Sequence, residues 1–179
     1  MGARRNTILG LATIIAFVAS GMLANAQETA PAAGSPEIDY PGFAAMTEDV
    51  MAYRESRLVS LAAFRQMASE PDTIILDTRS DEAFMMGHVD GAVHLNFADF
   101  TDEKLADVIG SRDTRILIYC NNNFEDDIAP VMLKRAPLAL NIPTFINLYG
   151  YGYENVYELG ELVSTGDEGV NWVSPLQMP

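Results

Sequence analysis

From Leu58 onward, short apolar runs alternate with stretches whose apolar positions recur every three or four residues. Thr73-Ile74-Ile75-Leu76-Asp77 is β-branched, apolar and short, the profile of a buried parallel strand. Ala92–Leu95 and Arg115–Tyr119 share that profile, and Thr144–Leu148 predicts a fourth strand of the same kind. Leu58-Val59 reads as a shorter one. Between the strands, the spacing predicts helices over Ser60–Ser69, Ser80–Met86, Thr101–Ile109 and Asp126–Arg135, with Ser60 as an N-cap and Glu70-Pro71-Asp72 as a stop. Strands alternating with helices predict an α/β domain: a small, mostly parallel sheet with helices on both faces.

Upstream, Phe43, Met46, Val50 and Tyr53 recur at spacings of three or four and predict a helical extension over residues 43–57, packed onto the domain that follows. Residues 27–42 are rich in Ala, Pro and Gly and read as a tether. Residues 1–26 read as an address rather than structure. Arg4 and Arg5 give a basic start, Ile8 to Leu23 carries no charge, and Ala24-Asn25-Ala26 supplies the small residues a signal peptidase accepts. Cleavage after Ala26 predicts a periplasmic or secreted protein with no stable membrane anchor. A membrane-anchor reading is weaker, because the run falls short of the ~20 residues that span a bilayer. The pair Arg4-Arg5 fits a twin-arginine export motif poorly, and no cysteine follows the run to carry a lipid. Residues 58–163 form the predicted domain, and residues 164–179 a tail in which Trp172 is the expected anchor.

Length and composition narrow the function. The 179 residues allow one domain with small extensions, and 49% hydrophobic content is enough for a real core. The chain has 25 Asp+Glu against 11 Lys+Arg, a formal charge of -14. Such a surface argues against a nucleic-acid partner, since phosphates need cations. One cysteine and two histidines exclude an internal disulfide and most Cys- or His-based metal sites, and no cofactor is implied.

That one cysteine stands where chemistry is expected. Cys120 directly follows the predicted strand Arg115–Tyr119 and precedes the helix predicted near Asp126. Ligands in open α/β sheets bind beyond the carboxyl ends of strands. A loop running into a helix N-terminus there collects free N–H groups, which stabilise a thiolate or persulfide. The alternative is a buried cysteine acting as a small hydrophobe, but Asn121-Asn122-Asn123 favours an exposed loop.

Several motifs fall in order around it: Leu76-Asp77-Thr78-Arg79, then Glu82 and Phe84, then Gly87-His88-Val89-Asp90-Gly91-Ala92 with Leu95-Asn96, then Ile116–Cys120 and finally Leu148-Tyr149-Gly150-Tyr151-Gly152. With these motifs the chain from Leu58 to about Tyr157 resembles a rhodanese-like domain. The resemblance implies a sulfurtransferase, in which the cysteine takes sulfane sulfur from a donor, holds it as a persulfide and passes it to a thiophilic acceptor. Carried over, Cys120 is the nucleophile and Asn121, Asn122, Asn123, Phe124 and Glu125 are the active-site loop. Asp77 and Arg79 match the motif behind the loop as a structural ion pair, and His88 matches a position that braces the loop–strand junction.

The loop departs from the family pattern, which usually places Arg or Lys soon after the cysteine. Here Glu125-Asp126-Asp127 stand in that region and no basic residue follows until Lys134. Acids so placed repel an anionic donor, so a small-molecule or protein-borne persulfide is expected as donor in place of thiosulfate, with a thiol as acceptor. The family's phosphatase relatives are disfavoured too, because Glu125 and Asp126 stand where a phosphate-binding Arg would have to be. Two readings remain open: a sulfurtransferase, and a non-catalytic binding or redox-sensing module that docks a partner protein. Tyr149, Tyr151, Tyr153 and Tyr157, around two glycines, are expected either to wall the pocket on a loop or to pack in the core.

Overall fold

The computed structural model describes residues 36–174. The expected signal peptide, residues 27–35 of the tether and residues 175–179 of the tail lie outside the described residues. Helix α1 spans Tyr40–Glu55, opened by Asp39, whose carboxylate accepts a hydrogen bond from the Gly42 N–H at 2.9 Å, with proline in the first turn. It therefore starts three residues before the apolar spacing places it, because cap and proline, not apolar residues, define its end.

The sheet contains β1 (Leu58–Val59), β2 (Thr73–Asp77), β4 (Ala92–His94), β5 (Arg115–Tyr119) and β6 (Val156–Leu159), in the order β1-β6-β5-β2-β4. Every neighbouring pair is parallel, and β5 is central. Helices α2 (Leu61–Ala68), α3 (Asp81–Met86) and α4 (Asp102–Ile109) begin at Ser60, Ser80 and Thr101, each of whose side chains accepts from a first-turn N–H. A separate antiparallel pair joins β3 (His88–Val89) to β7 (Trp172–Val173), which ties the start of the C-terminal tail back to the domain.

Strand alternation sorts the core into two layers. Leu76, Ile116, Ile118 and Val156 face Val50 of α1, Leu105 and Ile109 of α4, and Phe145 of helix α5 (Asn141–Gly150). Ile75, Leu117, Tyr119 and Leu159 face Phe64 of α2 and Val170. Both faces of the sheet are covered, which is why its strands read as nearly continuous apolar runs.

Two expected elements are corrected. Thr144–Leu148 is not a strand; it lies inside α5. Thr144, Phe145, Ile146 and Leu148 are all buried, so this helix is apolar almost all round and its short run carries no helical period. The sheet's remaining strand is instead β6. Asp126–Arg135 is not a helix but an irregular segment that ends in a short 3-10 turn at Ala136–Leu138. Pro130 offers no N–H in the middle of that stretch, and Asp127 adopts a left-handed φ of 45°.

Candidate active site

Cys120 leaves the carboxyl end of β5 and begins the single 3-10 turn Asn121–Asn123. The Asn123 side chain organises this turn. Its Oδ1 accepts from the Cys120 N–H at 2.9 Å and from Asn141 Nδ2 at 3.1 Å, while its Nδ2 donates to the Leu159 carbonyl at 2.7 Å. One buried amide thus joins β5, β6 and the start of α5. The helix facing the sulfur is α5, not one following the loop directly. No side chain caps α5, and the backbone N–H groups of Asn141, Asn122 and Leu140 favour the thiolate form of Cys120.

The thiol is not on an exposed loop; Cys120 is only 1% exposed. Burial pushes its pKa up, the three N–H groups pull it back, and the Glu158 charge adds to the rise, so the net shift is upward. A cavity of about 390 Å³ opens beside it, within the range of about 300–1,000 Å³ usual for small-molecule sites. Its apolar walls come from Val50 and Met51 of α1 and from Ile142 and Ile146 of α5.

Two charged residues line this cavity, and the sequence reading missed both. Glu158 of β6 is buried, and its carboxylate accepts from Arg54 Nε at 2.5 Å and Arg54 Nη2 at 2.7 Å. Asn141 Nδ2 donates to the same carboxylate at 3.1 Å. The Glu158 hydrogen bonds raise the Arg54 pKa against the opposing effect of burial. Nothing in the sequence marks Glu158, which directly follows the Tyr-rich stretch, or Arg54, one polar position of the predicted helical extension.

The expected loop residues separate. Asn122 and Asn123 line the cavity with Cys120. Asn121 and Asn122 use their amides to hold the irregular segment, donating to the Met132 and Lys134 carbonyls at 3.0 and 2.7 Å. Phe124 is fully buried in the other layer, edge-on to Tyr119 and Trp172. The Glu125 N–H donates to the Val163 carbonyl, and Asp126 accepts from the Thr165 N–H and the Ser164 hydroxyl, which together hold its carboxyl below the usual range. Asp127 accepts from the Leu133 N–H. None of these three acids lines the cavity; the acid beside the thiol is Glu158.

Behind the loop, Arg79 Nη2 donates to Asp77 Oδ2 at 2.6 Å and to the Gly87 carbonyl at 2.7 Å, both side chains being fully buried. The Tyr119 hydroxyl donates to the same Asp77 oxygen at 2.5 Å, and the Trp172 ring lies 5.3 Å from the guanidinium. A Cβ on Gly87 would fall 2.4 Å from the Trp172 indole nitrogen, so this position has no room for a side chain. His88 Nδ1 donates to the Phe84 carbonyl at 2.8 Å, and its ring stacks on Phe84 at 3.8 Å. The tyrosines do not form a loop at the cavity. Tyr149 lies at the carboxyl end of α5, and Tyr151 follows it and donates to the Phe100 carbonyl; the cavity is at the amino end of the helix.

A model of the rhodanese-like domain matches residues 60–160, more than half of the chain. The chain belongs to the rhodanese-like family. Among solved structures, this rhodanese-like chain is similar to the BH2092 protein from Bacillus halodurans at 16% identity. That likeness covers 63% of this chain and 73% of the other, with a TM-score of 0.39. A comparison with curated proteins found no match. Helix α1 precedes the rhodanese-like span, yet it supplies Val50, Met51 and Arg54 to the cavity.

Proposed function

We propose that this rhodanese-like protein is a sulfurtransferase that carries sulfane sulfur as a persulfide on Cys120 and works in the periplasm or outside the cell. The observation that carries the reading is the setting of the sulfur: the end of the central strand, the start of a single 3-10 turn, and a cavity beside it. The Asn141, Asn122 and Leu140 N–H groups favour negative charge on that sulfur and partly offset its burial. Export rests on the Ile8–Leu23 run and the Ala24-Asn25-Ala26 site.

In the first step the Cys120 sulfur attacks the terminal sulfur of a donor persulfide. A new S–S bond forms, the donor's S–S bond breaks, and its electron pair leaves on the donor thiolate. Cys120 attacks as the thiolate, and the proton it gives up passes to the departing donor thiolate. In the second step an acceptor thiolate or cyanide attacks the outer sulfur and releases Cys120. Thiosulfate is disfavoured as donor because the cavity's guanidinium is already occupied by Glu158, which leaves a dianion no free counter-charge.

Burial of Cys120 and the engagement of Arg54, the basic side chain lining its cavity, by Glu158 favour a second reading, a binding or redox-sensing module without turnover. Steady-state transfer to cyanide separates the two. Sustained thiocyanate formation from a small organic persulfide, lost in Cys120→Ser, is the result expected. A folded protein that gives none, while its thiol still reacts with an alkylating reagent, selects the binding module.

A further inference from the structure

The ion pair at the cavity joins two parts of the chain with different standing. Glu158 lies on β6, inside the rhodanese-like span, whereas Arg54 lies on α1, before it. Glu158 is 6% exposed, and its two oxygens engage Arg54 Nε and Nη2. Asn141 adds a second constraint. Its Nδ2 donates to two acceptors, Asn123 Oδ1 and Glu158 Oε1, so the orientation of the amide is set and its Oδ1 is left buried without a partner. The cavity wall therefore combines a cancelled cation with apolar side chains.

Building on the sulfurtransferase reading, we propose that the Arg54–Glu158 pair is a charge selector. By cancelling the cavity's guanidinium, Glu158 bars inorganic dianions and reserves the Cys120 cavity for low-molecular-weight organic persulfides. Such a donor packs its carbon body against Val50, Met51, Ile142 and Ile146. The selector is assembled only when α1 docks, so donor choice is set by a segment outside the family domain. The sulfur step is common to both donor classes: Cys120 bonds to the terminal sulfur while the donor's S–S bond breaks. The electron pair leaves on a thiolate in one case and on sulfite in the other, and no external oxidant is consumed.

The test compares kcat/KM for the dianion thiosulfate with kcat/KM for N-acetylcysteamine persulfide, at most a monoanion with an otherwise uncharged body, in the full chain. The variants are Glu158→Gln and the double variant Arg54→Gln/Glu158→Gln. Releasing Arg54 should raise the thiosulfate-to-persulfide ratio by about tenfold or more in Glu158→Gln, and the double variant should return it toward the wild-type value. A gain of activity of this kind does not arise from lost stability. A ratio that stays level or falls in Glu158→Gln, while the wild type uses N-acetylcysteamine persulfide, overturns the selector alone. A wild type that prefers thiosulfate does the same. A wild type that accepts neither donor overturns the sulfurtransferase reading beneath it.

Discussion

At Cys120, burial and the Glu158 charge raise the thiol pKa, and the Asn122, Leu140 and Asn141 N–H groups only partly offset them. The thiolate is the nucleophile. Because the folded pKa lies above the ordinary thiol value of about 8.5, reactivity should keep rising with pH beyond the point where an exposed thiol levels off. Alkylation of Cys120 by a neutral reagent, followed against pH, checks this; a plateau below that value contradicts it. Asp77 makes the opposite case of a group defined by its partners. It is fully buried and accepts from Arg79 and Tyr119, so Asp77→Ala leaves a buried guanidinium without its counter-charge. Loss of a partner in such a pair costs about 3–5 kcal/mol, and denaturant unfolding should show a loss of that size. A change under about 1 kcal/mol, the range of exposed pairs, would assign the pair to the surface class.

The elements differ in how far their sequences disclose them. β2 and β5 are legible because four apolar or β-branched residues stand in a row between clear breaks, and α2 to α4 because a Ser or Thr cap precedes each. Helix α5 is not legible: a helix buried on most sides has the same apolar run as a buried strand, and periodicity does not separate them. Asn141 and Glu158 are equally hidden, since nothing local in a single sequence places them beside Cys120. The role of α1 emerges only from its packing. Tyr53 rests against Phe145 and Tyr149, and its hydroxyl donates to the Glu154 carbonyl, while Gly150 meets Met46. A Cβ at Gly150 would lie 2.7 Å from Met46 Sδ, so α1 approaches α5 at a point where only glycine fits without movement. The obstacle is the far end of a flexible side chain, so Gly150→Val should turn Met46 aside and cost about 1–3 kcal/mol by overpacking. Thermal unfolding measures the loss; an unchanged midpoint would show that Met46 does not pack tightly on this end of α5.

At the scale of the molecule, the family domain supplies the sulfur, the N–H groups and Glu158, while the preceding helix supplies Arg54 and part of the apolar wall. The motif order around Cys120 reveals the domain in the sequence, because each motif is local: a strand followed by a turn, or a glycine where Trp172 approaches. The charge environment of the site is not local. Reading Glu125–Asp127 along the chain suggests an acidic loop, but the Asp126 side chain bonds to Thr165 and Ser164, that of Asp127 to Leu133, and the acid that lines the cavity comes from β6. Whether Cys120 accepts and releases sulfane sulfur is read most directly by intact-mass measurement after incubation with N-acetylcysteamine persulfide. The wild type should gain one sulfur atom and Cys120→Ser none, and the added mass should be lost when cyanide or a thiol is supplied. An adduct that persists in Cys120→Ser, or a folded wild type that gains no mass, would contradict the sulfurtransferase reading.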